Sequence, residues 1–147
     1  MIVMYDLNFF IRRYLHLKKI KNKTYIYCII RNKFYLFSQE EVIRQYIIFL
    51  LKQVKNYKNS NIWVEYPFKI NKLNKRLDIL VQFDKKPHIL IECKTPKISI
   101  TQKTFDQISI YNKTIKAPFL MISNGIKNFI FKVDKYKKKF SFLKHIP

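Results

Sequence analysis

Hydrophobic positions fall into short blocks along the chain, and their period changes from block to block. Between residues 62 and 70 the period is two: Ile62, Val64, Tyr66, Phe68 and Ile70 share one face, which predicts a strand, and Pro67 directs it to a sheet edge or a bulge. The runs Leu77–Phe83 and His88–Lys94 are almost continuously apolar and read as interior strands joined through "DKKP". Phe119–Ser123, ended by Asn124-Gly125, and Phe129–Val133 predict two more. Residues 24–37, "TYIYCIIRNKFYLF", are β-branched and aromatic around Arg31-Asn32 and predict a β-arm of strand, turn and short strand. Two blocks have a helical period instead. Ser38 and Glu41 form a capping box ahead of "VIRQYIIFLLKQV", predicting a helix from Ser38 to about Asn56 that is buried on more than one side. Phe105, Ile108, Tyr111 and Ile115 predict a second helix from Thr101 to about Asn112. Residues 1–20 are basic and aromatic without a clean period and predict no element. The order is that of one α/β domain with a mixed sheet: an N-terminal extension and β-arm (1–37), a core (38–134) and a basic C-terminal tail (135–147).

A length of 147 residues suits one hydrophobic core, and 48% hydrophobic with 16% aromatic residues is the composition of a folded chain. No apolar run is long enough to span a bilayer and the first twenty residues lack a signal-peptide pattern, so a cytoplasmic protein without membrane contact is expected. Cys28 and Cys93 lie in apolar runs without metal-ligand spacing and read as buried thiols. The single glycine, Gly125, excludes a Walker A loop and a dinucleotide fingerprint, each of which needs at least two, so any ATPase must sit on another chain. The net charge of +21 has two readings, an AT-rich genome or a polyanionic partner, and the shortage of acids favours a nucleic acid.

Of only nine acids, Asp78 and Glu92 fall in adjacent interior strands, where an unpaired carboxylate is costly. Glu92 and Lys94 share a face by alternation. A three-residue connection, Lys85–Pro87, puts Asp78 opposite Lys94 and makes Asp78 and Glu92 diagonal neighbours, about 7–8 Å apart; a two- or four-residue connection puts Asp78 on the other face. Two carboxylates that close suit Mg²⁺, which prefers oxygen ligands and takes only one or two carboxylates besides water and phosphate. Asp78 and Glu92 would hold the ion, and Lys94 would orient a water and offset phosphate charge, a pattern suited to phosphodiester hydrolysis. On spacing alone, a strand-edge salt bridge between Lys94 and an acid is the alternative.

At "RLDILVQFDKKPHILIECKTP" the chain resembles the PD-(D/E)xK nucleases, with Leu77-Asp78 for the Pro-Asp element and Glu92-Cys93-Lys94 for Glu-x-Lys. "ITQKTFDQISIYN" is similar to the Gln-x-x-x-Tyr element, here Gln107 and Tyr111, and "FSQEEVIRQYIIFLL" to the first helix, where Glu41 is the candidate acid approaching the metal. The whole resembles the N-terminal domain of the type I restriction enzyme R subunit, in short standalone form, from "YIYCIIRNKFYLFSQEEVIRQ" to "FLKHIP". The resemblance implies a restriction-endonuclease-like core and Mg²⁺-dependent DNA cleavage, with Mn²⁺ as substitute. It places Asp78, Glu92 and Lys94 in the catalytic positions, with Gln107 assisting. It further implies DNA as partner and a separate motor or specificity subunit, and a homodimer is an option because many enzymes that cut both strands pair. The alternative is a non-catalytic DNA-binding or assembly module on the nuclease fold.

Several residues carry two readings each. Glu41 also completes the capping box; Gln107 and Tyr111 also suit a helix interior; Trp63 could stack on a base but also packs beside a strand. Lys72, Lys75 and Arg76 precede Asp78 and could hold phosphates at the mouth of the site, or form a solvated basic loop. The Lys135–Lys139 run reads as a solvated surface.

Overall fold

A computed structural model describes residues 5–136 and 139–147. The first element is a helix, α1 (Leu7–Arg13), capped by Asp6, whose carboxylate accepts from the Phe9 N–H at 2.8 Å. Its buried Phe10 packs on the rings of Tyr46 and Phe49. That contact lies far along the chain, which is why no local period announces the helix. Next come β1 (Leu17–Ile20), β2 (Lys23–Cys28) and β3 (Lys33–Leu36), an antiparallel sheet in that order, so the expected β-arm has a third strand.

The second helix, α2 (Gln39–Gln53), starts where the capping box sets it, with the Glu41 N–H donating to Ser38 Oγ at 3.0 Å. It is buried without interruption from Glu41 to Leu51, as its encircling apolar residues predict. It ends three residues before Asn56, whose left-handed φ of 58° turns the chain away.

Six strands follow in spatial order: β4 (Ile62–Ile70), β5 (Leu73–Phe83), β6 (Lys86–Cys93), β7 (Phe119–Ser123), β8 (Asn128–Asp134) and β9 (Lys139–Leu143). Every neighbouring pair is antiparallel except β6 and β7, which are parallel and linked by helix α3 (Gln102–Ile115). One face of the sheet, through Ile79, Val81, Ile89, Ile91 and Met121, packs on α1 and α2; the other, through Leu80, Leu90, Leu120 and Ile122, packs on Ile108 of α3. Covering both faces explains the near-continuous apolar runs. Pro67 lies in β4, an edge strand, as proline requires. β9 corrects the expected C-terminal tail. Phe140 and Phe142 alternate with polar neighbours along it, but the preceding lysines mask that period; Lys137 and Lys138 of the Lys135–Lys139 run lie outside the described residues.

Gly125 has φ 86°, and a Cβ there would stand 2.5 Å from Ile43 Cδ1 and 2.9 Å from Leu7 Cδ2, so the one glycine fits both a left-handed turn and the close approach of α1 and α2. Three two-residue hairpin turns, Lys21-Asn22, Asn71-Lys72 and Asp84-Lys85, also hold positive φ at both positions, without any glycine. Lys85→Gly converts Asp84-Lys85 into the favoured Asp-Gly turn and should raise stability by roughly 0.5–1 kcal/mol. A thermal melt no higher than that of the unaltered chain would reject this.

Candidate functional site

The geometry of the site follows from how β5 and β6 are registered. The turn Asp84-Lys85 has two residues, and Phe83 opposite Lys86 and Gln82 opposite Pro87 start the ladder. Continued unchanged, that register would place Asp78 opposite Ile91, on the face away from Glu92. A bulge prevents this. Val81 pairs with Ile89, leaving His88 unpaired, and the shifted ladder runs on through Leu80–Leu90 to Ile79–Ile91, beyond which Asp78 and Glu92 are the next residues on the two strands. The His88 ring is wedged among Tyr57, Phe83 and Phe119, which fixes the bulge in place. The three-residue connection of the sequence reading is thus corrected to a two-residue turn plus a one-residue bulge. Asp78 and Glu92 are brought within reach of each other, side chain to side chain, through this bulged register rather than through a three-residue connection.

At Asp78 the ladder opens. Its Oδ2 accepts from the Cys93 N–H at 2.7 Å and its Oδ1 from Arg44 Nη2 at 3.1 Å, so strand β6 and helix α2 both orient one carboxylate. Burial pushes the Glu92 carboxyl up to about 8, with the facing Asp78 charge adding to it and Lys94 opposing it. Lys94 follows β6 directly; its N–H donates to the Ser123 carbonyl at 2.8 Å, continuing the parallel pairing with β7. Burial of Cys93 pushes its thiol up as well, keeping it protonated, and both cysteines are buried and unbonded.

Glu41 and Glu40 take different places. Both Glu41 oxygens lie 2.7 Å from Arg31 Nη2, one lies 2.8 Å from Arg44 Nη1, and Gln45 donates to the other, so Glu41 is a buried link between two arginines. Glu40, one residue earlier, is half exposed; its carboxyl is pushed up first by burial and then by Asp78, and is held down by Arg44 and Lys94. The helix acid on the side of Asp78 and Lys94 is therefore Glu40. Adjacent helix residues point about 100° apart, a distinction that a two-glutamate sequence does not resolve.

Five of the nine acids gather here: Glu40, Glu41, Glu65, Asp78 and Glu92. The bases among them are Arg31, Arg44 and Lys94, so with all five acids ionised two negative charges are in excess, in a chain of net charge +21. Asp78 keeps Arg44 as a counter-charge, while Glu92 has no salt bridge among the described residues. Among the described residues no group of three or more His, Cys, Asp and Glu is placed to hold a metal.

Residues 39–147 match the family model described as type I restriction enzyme R protein N terminus (HSDR_N), which takes in α2, the whole six-stranded sheet and α3. The chain belongs to this family. No curated protein matches it. The R protein N-terminal match contains Glu40, Asp78, Glu92, Lys94 and Gln107, whereas α1 and the three-stranded sheet precede it. Among the described residues no helix is long and apolar enough to cross a membrane.

The remaining sequence-predicted residues scatter around this R protein core. Gln107 is exposed on α3 and its Nε2 donates to the Tyr111 hydroxyl at 3.0 Å, the helical-turn pairing expected of them; Tyr111 also packs on Phe68. Among the described residues no hydrogen bond or ion pair joins either to Asp78, Glu92 or Lys94. Trp63 is half exposed and meets Tyr66 edge to face, the packing alternative. Lys72, Lys75 and Arg76 lie on the β4–β5 hairpin rather than in a loop. Lys72 is in its turn, about 20 Å along the strand from Asp78. Leu77 and Phe68 pack against the α3 side, so Arg76 and Asn74, with Lys69 across from Asn74, take the opposite face, and Lys75 shares the Phe68 face. Regular alternation breaks between Leu77 and Ile79, which belong to different cores, and Glu65 opposite that break has a left-handed φ of 52°. The even period of Ile62–Ile70 conceals this change of face.

Proposed function

We propose that this chain is a Mg²⁺-dependent deoxyribonuclease, with Mn²⁺ able to replace Mg²⁺, and that Asp78, Glu92 and Lys94 carry the reaction. The observation that supports it most is the bulged register that brings the Asp78 and Glu92 side chains together, with Lys94 two residues beyond Glu92, inside the R protein N-terminal match. The bound ion would polarise a water and neutralise charge on the scissile phosphate. Asp78, oriented by Cys93 and Arg44, and Glu92 would hold it, since Mg²⁺ needs no more than two carboxylates, and Glu40 rather than Glu41 is the α2 acid beside them. Lys94 Nζ donates to the attacking water and to a phosphoryl oxygen, stabilising the charge that grows as the water oxygen bonds to phosphorus and the leaving oxygen departs. Gln107 and Tyr111 form a hydrogen-bonded pair on the next helix and contact the substrate backbone.

The DNA path runs along the β4–β5 hairpin. Lys69 and Arg76 line one face and Lys72 the tip, a basic arm that holds phosphates beyond the cut without reading bases. Lys75, on the face shared with Phe68, belongs to the arm but not to that row. The single glycine leaves no Walker A loop in these residues, so any translocation coupled to cleavage would be driven from outside them. Cutting both strands of a duplex at one place would require pairing of two copies.

The test is cleavage of supercoiled plasmid with Mg²⁺, Mn²⁺ or chelator. The unaltered chain should cut only with metal, and Asp78→Ala should bind DNA and cut at least about 10²-fold more slowly. DNA binding without cleavage by the unaltered chain would favour the binding-module reading.

A further inference from the structure

The charges around Asp78 extend beyond any group that could touch metal or DNA. Arg31 lies in the turn between β2 and β3, in the segment that precedes the family match. Its guanidinium stacks 3.5 Å from the centre of the Tyr35 ring, its Nη2 sits 2.7 Å from both Glu41 oxygens, and its Nη1 donates to Glu65 Oε2 at 3.2 Å. Glu41 in turn takes Arg44 Nη1 at 2.8 Å, and Arg44 Nη2 reaches Asp78 Oδ1 at 3.1 Å. From N-terminal sheet to site the order is cation, anion, cation, anion. Glu65 faces the strand break at Asp78 from β4, so Arg31 fastens the site from two elements.

We propose that Arg31 is a positioning residue for the metal-binding carboxylate: acting through Glu41 and Arg44, it fixes the direction of Asp78. The inference rests on the nuclease reading for what Asp78 holds. The side chains in the chain of contacts are nearly inaccessible, with Arg31 12%, Glu41 5% and Arg44 6% exposed, so these pairs are little screened by water. Both arginines also leave a buried Nε without an acceptor, a cost accepted while their Nη groups are committed to the acids. With Arg31 gone, Glu41 retains Arg44 as its only cation, and Arg44 is drawn toward Glu41 and away from Asp78.

Orientation and plain electrostatics predict opposite signs. If Arg31 and Arg44 acted only as positive charges near a cation site, removing either would tighten metal binding. If they orient Asp78, removing either weakens it. Outer partners of metal ligands typically change metal affinity by about 10- to 100-fold.

The experiment is Mn²⁺ titration of the full chain without DNA, followed by the paramagnetic resonance of free ion, for the unaltered protein, Arg31→Gln, Arg44→Gln, the double variant and Asp78→Asn. Arg31→Gln should raise the half-saturating Mn²⁺ concentration about tenfold, and should add nothing in the Arg44→Gln background, since the effect passes through Arg44. Unchanged or tighter binding by a folded Arg31→Gln protein overturns the proposal, and so do additive effects. Should Arg31→Gln not fold, Arg31→Lys keeps the charge but loses the two-armed fork, and the same weakening is required of it. If the unaltered chain and Asp78→Asn bind Mn²⁺ alike, the metal site itself is wrong and this inference falls with it.

Discussion

Lys94→Ala should cleave plasmid roughly 10³-fold more slowly than the unaltered chain while binding DNA with similar affinity. Lys94 has two separable effects. Its charge helps Glu92 ionise, since it opposes the burial that lifts the Glu92 carboxyl to about 8. In the proposed reaction its ammonium donors would also act on the reacting water and phosphate. Raising the pH to 9 at saturating Mg²⁺ ionises Glu92 without help and cancels the first effect but not the second. The rate deficit should therefore persist at pH 9, measured as single-turnover cleavage over a Mg²⁺ series. Recovery to the unaltered rate there would reduce Lys94 to a counter-charge for Glu92.

The second large effect is on stability. Glu92 titrates in the folded protein near 8, well above the value of an exposed glutamate, because burial and then Asp78 disfavour its charge. Between about pH 4.5 and 8 the folded state therefore holds a proton that the unfolded chain has released, and metal-free stability falls as pH rises through that window. Glu40, pushed up by burial and Asp78, acts in the same direction, whereas His88, pushed down by burial, acts oppositely below its ordinary value. Comparison with Glu92→Gln removes both backgrounds. At pH 8.5 without metal, Glu92→Gln should be more stable than the unaltered chain by ~2 kcal/mol, and near pH 5 the two should be close. Added Mg²⁺ should reverse the order at high pH, because it stabilises only a protein that binds it. Urea unfolding at both pH values, with Mg²⁺ or chelator, reads all four conditions. A difference that does not change with pH would mean that Glu92 is not held protonated.

Much of this arrangement is written in local chemistry. Ser38 and Glu41 fix the start of α2 because a cap needs only residues three apart. The apolar runs give the interior strands because burial on both faces leaves no room for polar alternation. The residue patterns along the chain suffice for a resemblance to the R protein N terminus, which the family match bears out over residues 39–147.

What local chemistry left open depends on contacts between distant residues. Helix α1 exists through Phe10 against α2, and β9 through its pairing with β8, neither of which has a strong period of its own. The distinction between Glu40 and Glu41 is a rotation about the α2 axis, fixed when Arg31 arrives from another sheet. The meeting of Asp78 and Glu92 turns on one unpaired residue, His88, held by rings from three separate segments. Sequence alone determined α2, α3 and the interior strands, because propensity, capping and burial act within a few residues. Only the tertiary structure decided which carboxylates meet, because register and helix rotation are set by packing between segments that the sequence keeps apart.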